Sequence, residues 1–381
     1  MDVRLAVWGV FGGLGFAFFL MLIELLRRYG GRDGAGSSSG APILADSSST
    51  AAAAAAAELS VANLLRQVLR DFSYQQLHQA TNGFAQGNLL REGLFAGTLG
   101  GDGKEAVVIK SVESREMFDA EVAMLAGLGH SSSANRFVQI IGICSSSSAG
   151  GGGGGGGDCA DGHAQRMLLV LRQMPNGDLA SALRRGDEFK SSDGETSESS
   201  DSSSAGSAKP LDWITRFKIA IGVAEALAFL HHDCSPAVIH RDLKSSSVFL
   251  DEGYEVRLGS FGKACRQQYG SDVFPVYDIY CYGKVLLDLV SGLDISSCCD
   301  GFGEAWLHRA LPLMEFGKRD AFLRLVDPTL VLDEDHVKEL MLLAVIAKSC
   351  LDPEHAQHQT MSNVLHMLQN PAFFLALAGQ G

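Results

Sequence analysis

The sequence has no basic excess: 31 Lys and Arg stand against 44 Asp and Glu in 381 residues, a formal net charge of −13. A nucleic-acid binder presents a basic face, so nucleic acid is not expected as a partner. The acidity itself speaks chiefly to solubility. Cysteine patterning is also lacking. The 8 cysteines are scattered, and the close set Cys298-Cys299 has neither metal-ligand spacing nor paired histidines. That reads as reduced, cytosolic thiols, with no disulfide framework and no zinc site. Foldable sequence is scarcer than the length suggests. Length alone allows two or three domains, but low-complexity tracts remove a good part of the chain.

Three such tracts stand out. Gly30 to Ala57 is rich in Gly, Ser and Ala and ends in the alanine run Ala51–Ala57, which reads as a flexible tether or as the start of a helix through Glu58 to Arg70. Ser145 to Gly157 is a Ser and then Gly tract that cannot pack a core. Asp187 to Lys209 is Ser-rich and acidic and is expected to be disordered. Its serines beside Asp and Glu suit acid-directed phosphorylation, with a solvated loop extension as the plainer alternative. The second and third tracts interrupt apolar segments that otherwise read as one domain. They are therefore taken as loop insertions, at about 145–163 and 187–209.

What is present begins with an uncharged run, Leu5 to Ile23, rich in Phe, Leu and Gly. At about 1.5 Å per residue such a run reaches across the roughly 30 Å of a bilayer core. Trp8 lies near one end, Glu24 sits at the other boundary, and Arg27, Arg28 and Arg32 follow. Positive charge on the C-terminal side predicts a single-pass anchor over 1–28, a linker over 29–71, and the rest of the chain in the cytosol. A cleaved signal peptide is the competing reading. The apolar stretch is longer than usual for one, and no small-x-small cleavage site follows it.

Val107-Val108-Ile109-Lys110 is a β-branched run ending in lysine and predicts a half-buried strand. Met117–Leu128 has helical apolar spacing at Met117, Val122, Met124, Leu125 and Leu128, and carries Glu121. A lysine after a strand can reach a nucleotide phosphate if a carboxylate on a neighbouring helix holds it. Trp213 to His231 again shows helical spacing. It leads into Val238-Ile239-His240-Arg241-Asp242-Leu243-Lys244-Ser245-Ser246-Ser247-Val248-Phe249-Leu250-Asp251.

That last string resembles the catalytic loop of protein kinases, H-R-D-L-x-x-x-N between two short strands. Val256-Arg257-Leu258-Gly259-Ser260-Phe261-Gly262 then stands in the place of D-F-G. Phe72-Ser73-Tyr74 through Ala80-Thr81-Asn82-Gly83-Phe84 looks like the juxtamembrane stretch of plant receptor-like kinases. Leu168 to Leu179 is similar to their β5–hinge–αD segment, and Asp278 to Leu287 to the start of their F helix. Ala347 to Pro353 resembles their closing helices. The nearest look-alikes are leucine-rich-repeat receptor-like Ser/Thr kinases, and no leucine-rich ectodomain is expected here.

The resemblance implies an α+β, two-lobe protein kinase fold over 72–372, with a β-rich N-lobe, a helical C-lobe and a tail at 373–381. It implies ATP as cofactor, held through Lys110, Glu121, Gly93, Val108, Gln173 and Met174. It further implies Asp242 as the group that accepts or orients the substrate proton, and Lys244 near the transferred phosphate. Four departures set limits on that. In the family the loop Asn and the D-F-G Asp hold magnesium, whereas this chain has Ser247 and Ser260. A hydroxyl lacks the charge a hard cation prefers, and each such loss costs about 10²–10³ in rate by analogy with other preorganised groups. The expected G-x-G-x-x-G reads Leu90-Arg91-Glu92-Gly93-Leu94-Phe95-Ala96-Gly97, a shortened hairpin with Arg91 at the first glycine. Val108 replaces the usual alanine and should narrow the adenine site. Finally, A-P-E is missing after Gly262, and its arginine partner is missing from Glu354–Met361.

The expected function is therefore a membrane-tethered signalling pseudokinase that binds partner receptor kinases or other signalling proteins, with weak ATP binding and doubtful magnesium binding. One alternative is an atypical Ser/Thr kinase with Asp242 as base and ATP held through Lys110. The other is a non-functional gene fragment.

Overall fold

The computed structural model describes residues 69–100, 104–129, 131, 133–145, 167–184, 210–267, 274–297 and 301–378. The apolar run Leu5–Ile23, the linker before Leu69 and nearly all of both inserts lie outside the described residues. Among the described residues no helix is long and apolar enough to cross a membrane.

Side chains alternate across a strand, and the N-lobe uses both faces. Its sheet comprises β1 (Arg70–Asp71), β2 (Leu89–Arg91), β3 (Leu94–Leu99), β4 (Glu105–Val112), β5 (Ile140–Ser145) and β6 (Met167–Arg172), in the order β1-β5-β6-β4-β3-β2. Neighbours run antiparallel except β1 and β5, which are parallel. On β4, Val107 and Ile109 pack with Leu168, Val170 and Leu77 on one face. Leu77 belongs to α1 (Tyr74–Ala80), whose start is fixed by a reciprocal cap between Ser73 and Gln76. Val108 and Val112 face the other way, towards α2 (Arg115–Leu128). Ser114 caps α2 by accepting the Met117 N–H at 3.1 Å, and Phe118, Val122 and Leu125 form its buried stripe.

The C-lobe is helical. Asp212 caps α3 (Trp213–Ala228), which buries Ile219, Ala220, Val223 and Leu227. The expected helix to His231 changes character at Phe229–Asp233, where the turn widens to a π geometry. Behind it lies α4 (Val276–Ser291), with Val285, Leu286, Leu287, Leu289 and Val290 all fully buried. α5 (Gly301–Ala310), α6 (Glu334–Leu351), α7 (Met361–Gln369) and α8 (Pro371–Ala378) complete the lobe. α6 lies directly on α4 at Gly283, where a Cβ would come within 2.8 Å of Leu351 Cγ. Arg216 of α3 is buried, with Nη2 2.6 Å from Asp327 and its other nitrogens donating to the carbonyls of Leu211 and Leu289. Each of its three nitrogens thus donates a hydrogen bond, the kind of compensation that makes a buried ion pair tolerable. At the two ends of the described residues, β1 pairs with β5 from Arg70 and α8 buries Phe374.

Candidate active site

Two short ladders bring the site loops together. β7 (Val238–Ile239) pairs with β10 (Cys265–Arg266), and β8 (Val248–Leu250) pairs with β9 (Val256–Leu258). The loop after β7 therefore faces the loop after β9. His240 is fully buried there, and its ring centroid lies 4.8 Å from Phe261, which in turn lies 5.8 Å from Phe137. Burial lowers the His240 pKa, against the pull of Asp278. The neutral ring then has one consistent tautomer: Nε2–H donates to Gly259 O at 2.9 Å, and Nδ1 accepts the Asp242 N–H at 3.3 Å.

α4 fastens this loop from below at two points. The buried Asp278 carboxylate accepts the N–H groups of His240 (2.7 Å) and Arg241 (2.8 Å), and His231 Nε2 lies 2.9 Å away. Nearly three turns further on, Asp288 Oδ2 accepts the Ser245 hydroxyl at 2.6 Å and also the Ser296 hydroxyl, while Oδ1 accepts the Ile295 N–H at 2.7 Å. Burial pushes the Asp288 carboxyl up to about 7 in spite of the hydrogen bonds from Ser245 and Ser296.

From above, Lys110 Nζ lies 2.8 and 2.7 Å from the two oxygens of Glu121, whose side chain is 1 % exposed. α2 packs on the 261–263 turn, so that a Cβ on Gly262 would sit 3.2 Å from Met117 and 3.5 Å from Glu121 Oε2. The lysine at the end of the β-branched strand and the carboxylate on the neighbouring helix thus meet.

The positions that differ from the kinase pattern have other occupations. The buried Ser247 hydroxyl turns back on its own loop, donating to Lys244 O at 2.7 Å and accepting the Lys244 N–H at 3.0 Å. Ser260 holds a left-handed backbone, φ 65° and ψ 51°. That conformation favours Gly, Asn and Asp over other residues. Asp242 faces two ammonium groups, Lys263 Nζ at 3.1 Å and Lys244 Nζ at 3.7 Å. Of Asp242, Ser247 and Ser260, only one is a carboxylate, and its charge is already countered. No group of three or more His, Cys, Asp and Glu among the described residues is arranged to hold a metal ion. These side chains do not fit a magnesium pair.

Nearer the N-lobe, β2 and β3 are joined by Glu92 and Gly93 alone, with Gly93 at φ 69°. The Ser111 N–H donates to Gly93 O at 2.7 Å, and Leu94 registers opposite Lys110. The hairpin therefore ends level with Lys110, with no overhanging loop of backbone N–H groups. Val108 is buried in the core between the sheet and α2. Gln173 and Met174 form the connection after β6. The Gln173 N–H is directed at Ala106 O at 3.4 Å, and Met174 is buried.

Arg91 does more than interrupt a glycine motif. Its Nη1 lies 3.7 Å from Asp178 Oδ2, and its guanidinium carbon sits 5.8 Å from the ring centroid of Phe249, both C-lobe residues. Asp178, Phe249 and Lys263 escaped the sequence reading. The Asn-Gly-Asp string at 176–178 is visible as a turn followed by a helix cap, but nothing in it points to a strand far upstream. A cavity of about 550 Å³ opens between Phe274, Pro275, Val276 and Ile279 on one side and Ala356, Gln357, Thr360 and Met361 on the other. It lies between the two segments from which the expected Glu–Arg ion pair is missing.

A profile of the family described as "Protein tyrosine and serine/threonine kinase" matches residues 87–273. A probable LRR receptor-like serine/threonine-protein kinase of Arabidopsis thaliana is 35% identical over 331 residues, covering 79% of this chain and 32% of that protein. A probable serine/threonine-protein kinase of the same plant is 31% identical over 322 residues, 76% of this chain and 73% of its own length. A brassinosteroid LRR receptor kinase of Oryza sativa subsp. japonica is 29% identical over 335 residues, 79% of this chain and 24% of that receptor. The chain thus spans about a third of the first of these relatives and about a quarter of the rice receptor.

Proposed function

The chain belongs to the plant receptor-like serine/threonine protein kinase family, and on that premise we propose that it is a membrane-tethered pseudokinase, acting as a scaffold or allosteric partner of other receptor kinases. The observation that carries this reading is the state of Asp242, Ser247 and Ser260. The one carboxylate is paired with Lys263 and Lys244, and one hydroxyl is committed to the Lys244 backbone. Phosphoryl transfer depends almost wholly on metal-assisted charge neutralisation and positioning. Three neutral or neutralised side chains supply neither.

Membrane attachment rests on Leu5–Ile23 with Arg27 and Arg28 behind it. The surface role rests on a core that is packed through both lobes, from Phe118 to Leu368, and that also weighs against a non-functional fragment. The rival reading, a weakly active kinase, has one observation in its favour: the Lys110–Glu121 pair is closed and could receive phosphate. In that reading Lys110, Glu121, Gly93, Val108, Gln173 and Met174 line the nucleotide site and Asp242 is the base.

The test is transfer of labelled phosphate from ATP to a generic protein acceptor by the full chain in detergent, with magnesium or manganese. No transfer is expected. Metal-dependent transfer that disappears in Asp242→Asn would sink the pseudokinase reading. Recovery of an active receptor kinase with the chain from cross-linked membranes, retained in Asp242→Asn, is the expected positive result.

A further inference from the structure

Asp178 and Phe249 lie side by side on the C-lobe wall of the cleft. They form an isolated antiparallel bridge, and the Leu250 N–H donates to Gly177 O at 2.8 Å beside them. Both are buried, at 6% and 7% exposure. Asp178 Oδ1 accepts the Ser181 N–H at 2.8 Å, which caps the following turn and directs Oδ2 towards Arg91. The Phe249 ring is fixed from behind, since a Cβ on Gly259 would come within 2.8 Å of it. Across the gap, β2 ends at Arg91 because the Glu92–Gly93 turn follows at once. Among the described residues Arg91 is the ion-pair partner of Asp178.

We infer that Arg91 is a built-in clasp between the lobes, occupying the end of the cleft over Phe249 so that a purine nucleotide can enter only by displacing it. A guanidinium is planar and stacks on aromatic faces. It therefore covers the face of Phe249 turned towards the N-lobe, beside the hairpin end that registers with Lys110. A buried carboxylate without a cation is costly, so Asp178 favours the closed position of Arg91. The clasp joins N-lobe to C-lobe without any ligand, which is what a constitutively closed scaffold requires. This inference rests on the pseudokinase reading and adds to it a reason for nucleotide independence.

A site that is open only a fraction of the time binds more weakly by that same fraction. The test is equilibrium titration of the full chain in detergent with the fluorescent ATP analogue TNP-ATP, with EDTA present so that metal plays no part. The proteins compared are wild type, Arg91→Gly and Asp178→Asn. Asn retains the oxygen that accepts the Ser181 N–H, so the second variant loosens the clasp without removing the cap. Arg91→Gly should bind about tenfold more tightly than wild type and Asp178→Asn about threefold more tightly, corresponding to clasps closed most of the time. Equal affinity in all three proteins, or binding by none of them, would overturn the clasp. Phosphate transfer measured on the same wild-type preparation separates the two ideas. Transfer by wild type defeats the pseudokinase reading, whereas the affinities alone decide the clasp.

Discussion

His240 and Ser247 share one loop, and Phe261 and Ser260 are neighbours on another, yet the members of each pair differ in what their side chains meet. His240 and Phe261 point into packed protein, their rings in tilted contact, and α4 holds the His240 backbone through Asp278. Ser247 and Ser260 stand where the family presents metal ligands, and they offer a committed hydroxyl and a neutral one. The half of the site that faces the core has kept groups whose loss would leave buried polar atoms unpaired. The positions matching the metal ligands carry no charge, and the buried Ser247 hydroxyl spends its hydrogen bonds on its own loop. Structure and chemistry can therefore part company within a few residues of the same loop.

The comparison can be broken most forcefully at Asp278. Replacing it with Ala leaves the buried His240 N–H and the part-buried Arg241 N–H without their acceptor, and a loss of about 3–5 kcal/mol is expected from breaking a buried charged network of this kind. Urea unfolding of the full chain reads it. A loss under about 1 kcal/mol would mean that α4 does not hold the loop. Lys110→Ala comes next. It strands Glu121, whose side chain is 1 % exposed, but Lys110 itself is 22% exposed, so water can partly replace it and about 1–3 kcal/mol is expected. An unchanged unfolding midpoint would count Lys110 among the ligand-facing residues and not the structural ones.

A smaller effect concerns pH. The Asp288 carboxyl is lifted by burial from 3.8 to about 7, so the folded state binds a proton that the unfolded state releases. Its contribution is present in full below about pH 4 and is lost as the pH rises through about 7. The wild-type Tm should therefore fall relative to that of Asp288→Asn between about pH 5 and pH 8. A constant difference would show that the carboxylate is already charged when folded. The smallest effect sharpens the other half: Ser260→Asn should raise stability by about 0.5 kcal/mol, because Asn tolerates the left-handed backbone better than Ser. Any destabilisation would mean that the Ser260 hydroxyl has a structural task.

Much of this was legible before folding. The β-branched run at Val107–Ile109 sits on β4, and Glu121 falls on the helix whose spacing announced it, with Ser114 as its cap. The shortened hairpin could be counted from the few residues between Leu90 and Gly97, and β2 and β3 are indeed joined by two residues. Other features were not legible. Lys263 is an ordinary lysine until the turn after Phe261 brings it to Asp242. Arg91 reads as a lost glycine, and its partners Asp178 and Phe249 lie far along the chain. Pairing between distant residues depends on which lobe faces which, and local propensity carries no record of that.

By itself the amino-acid sequence determined the family, the succession of strands and helices, and the chemical identities at the catalytic positions, because each depends on residue types at short spacing. Tertiary structure alone decided what those identities do. It turned Ser247 inward, set two lysines on Asp242, and laid Arg91 across the cleft onto Asp178 and Phe249. Charge neutralisation and burial act through space between segments that meet only when the two lobes are assembled, and so they become readable only in the folded chain.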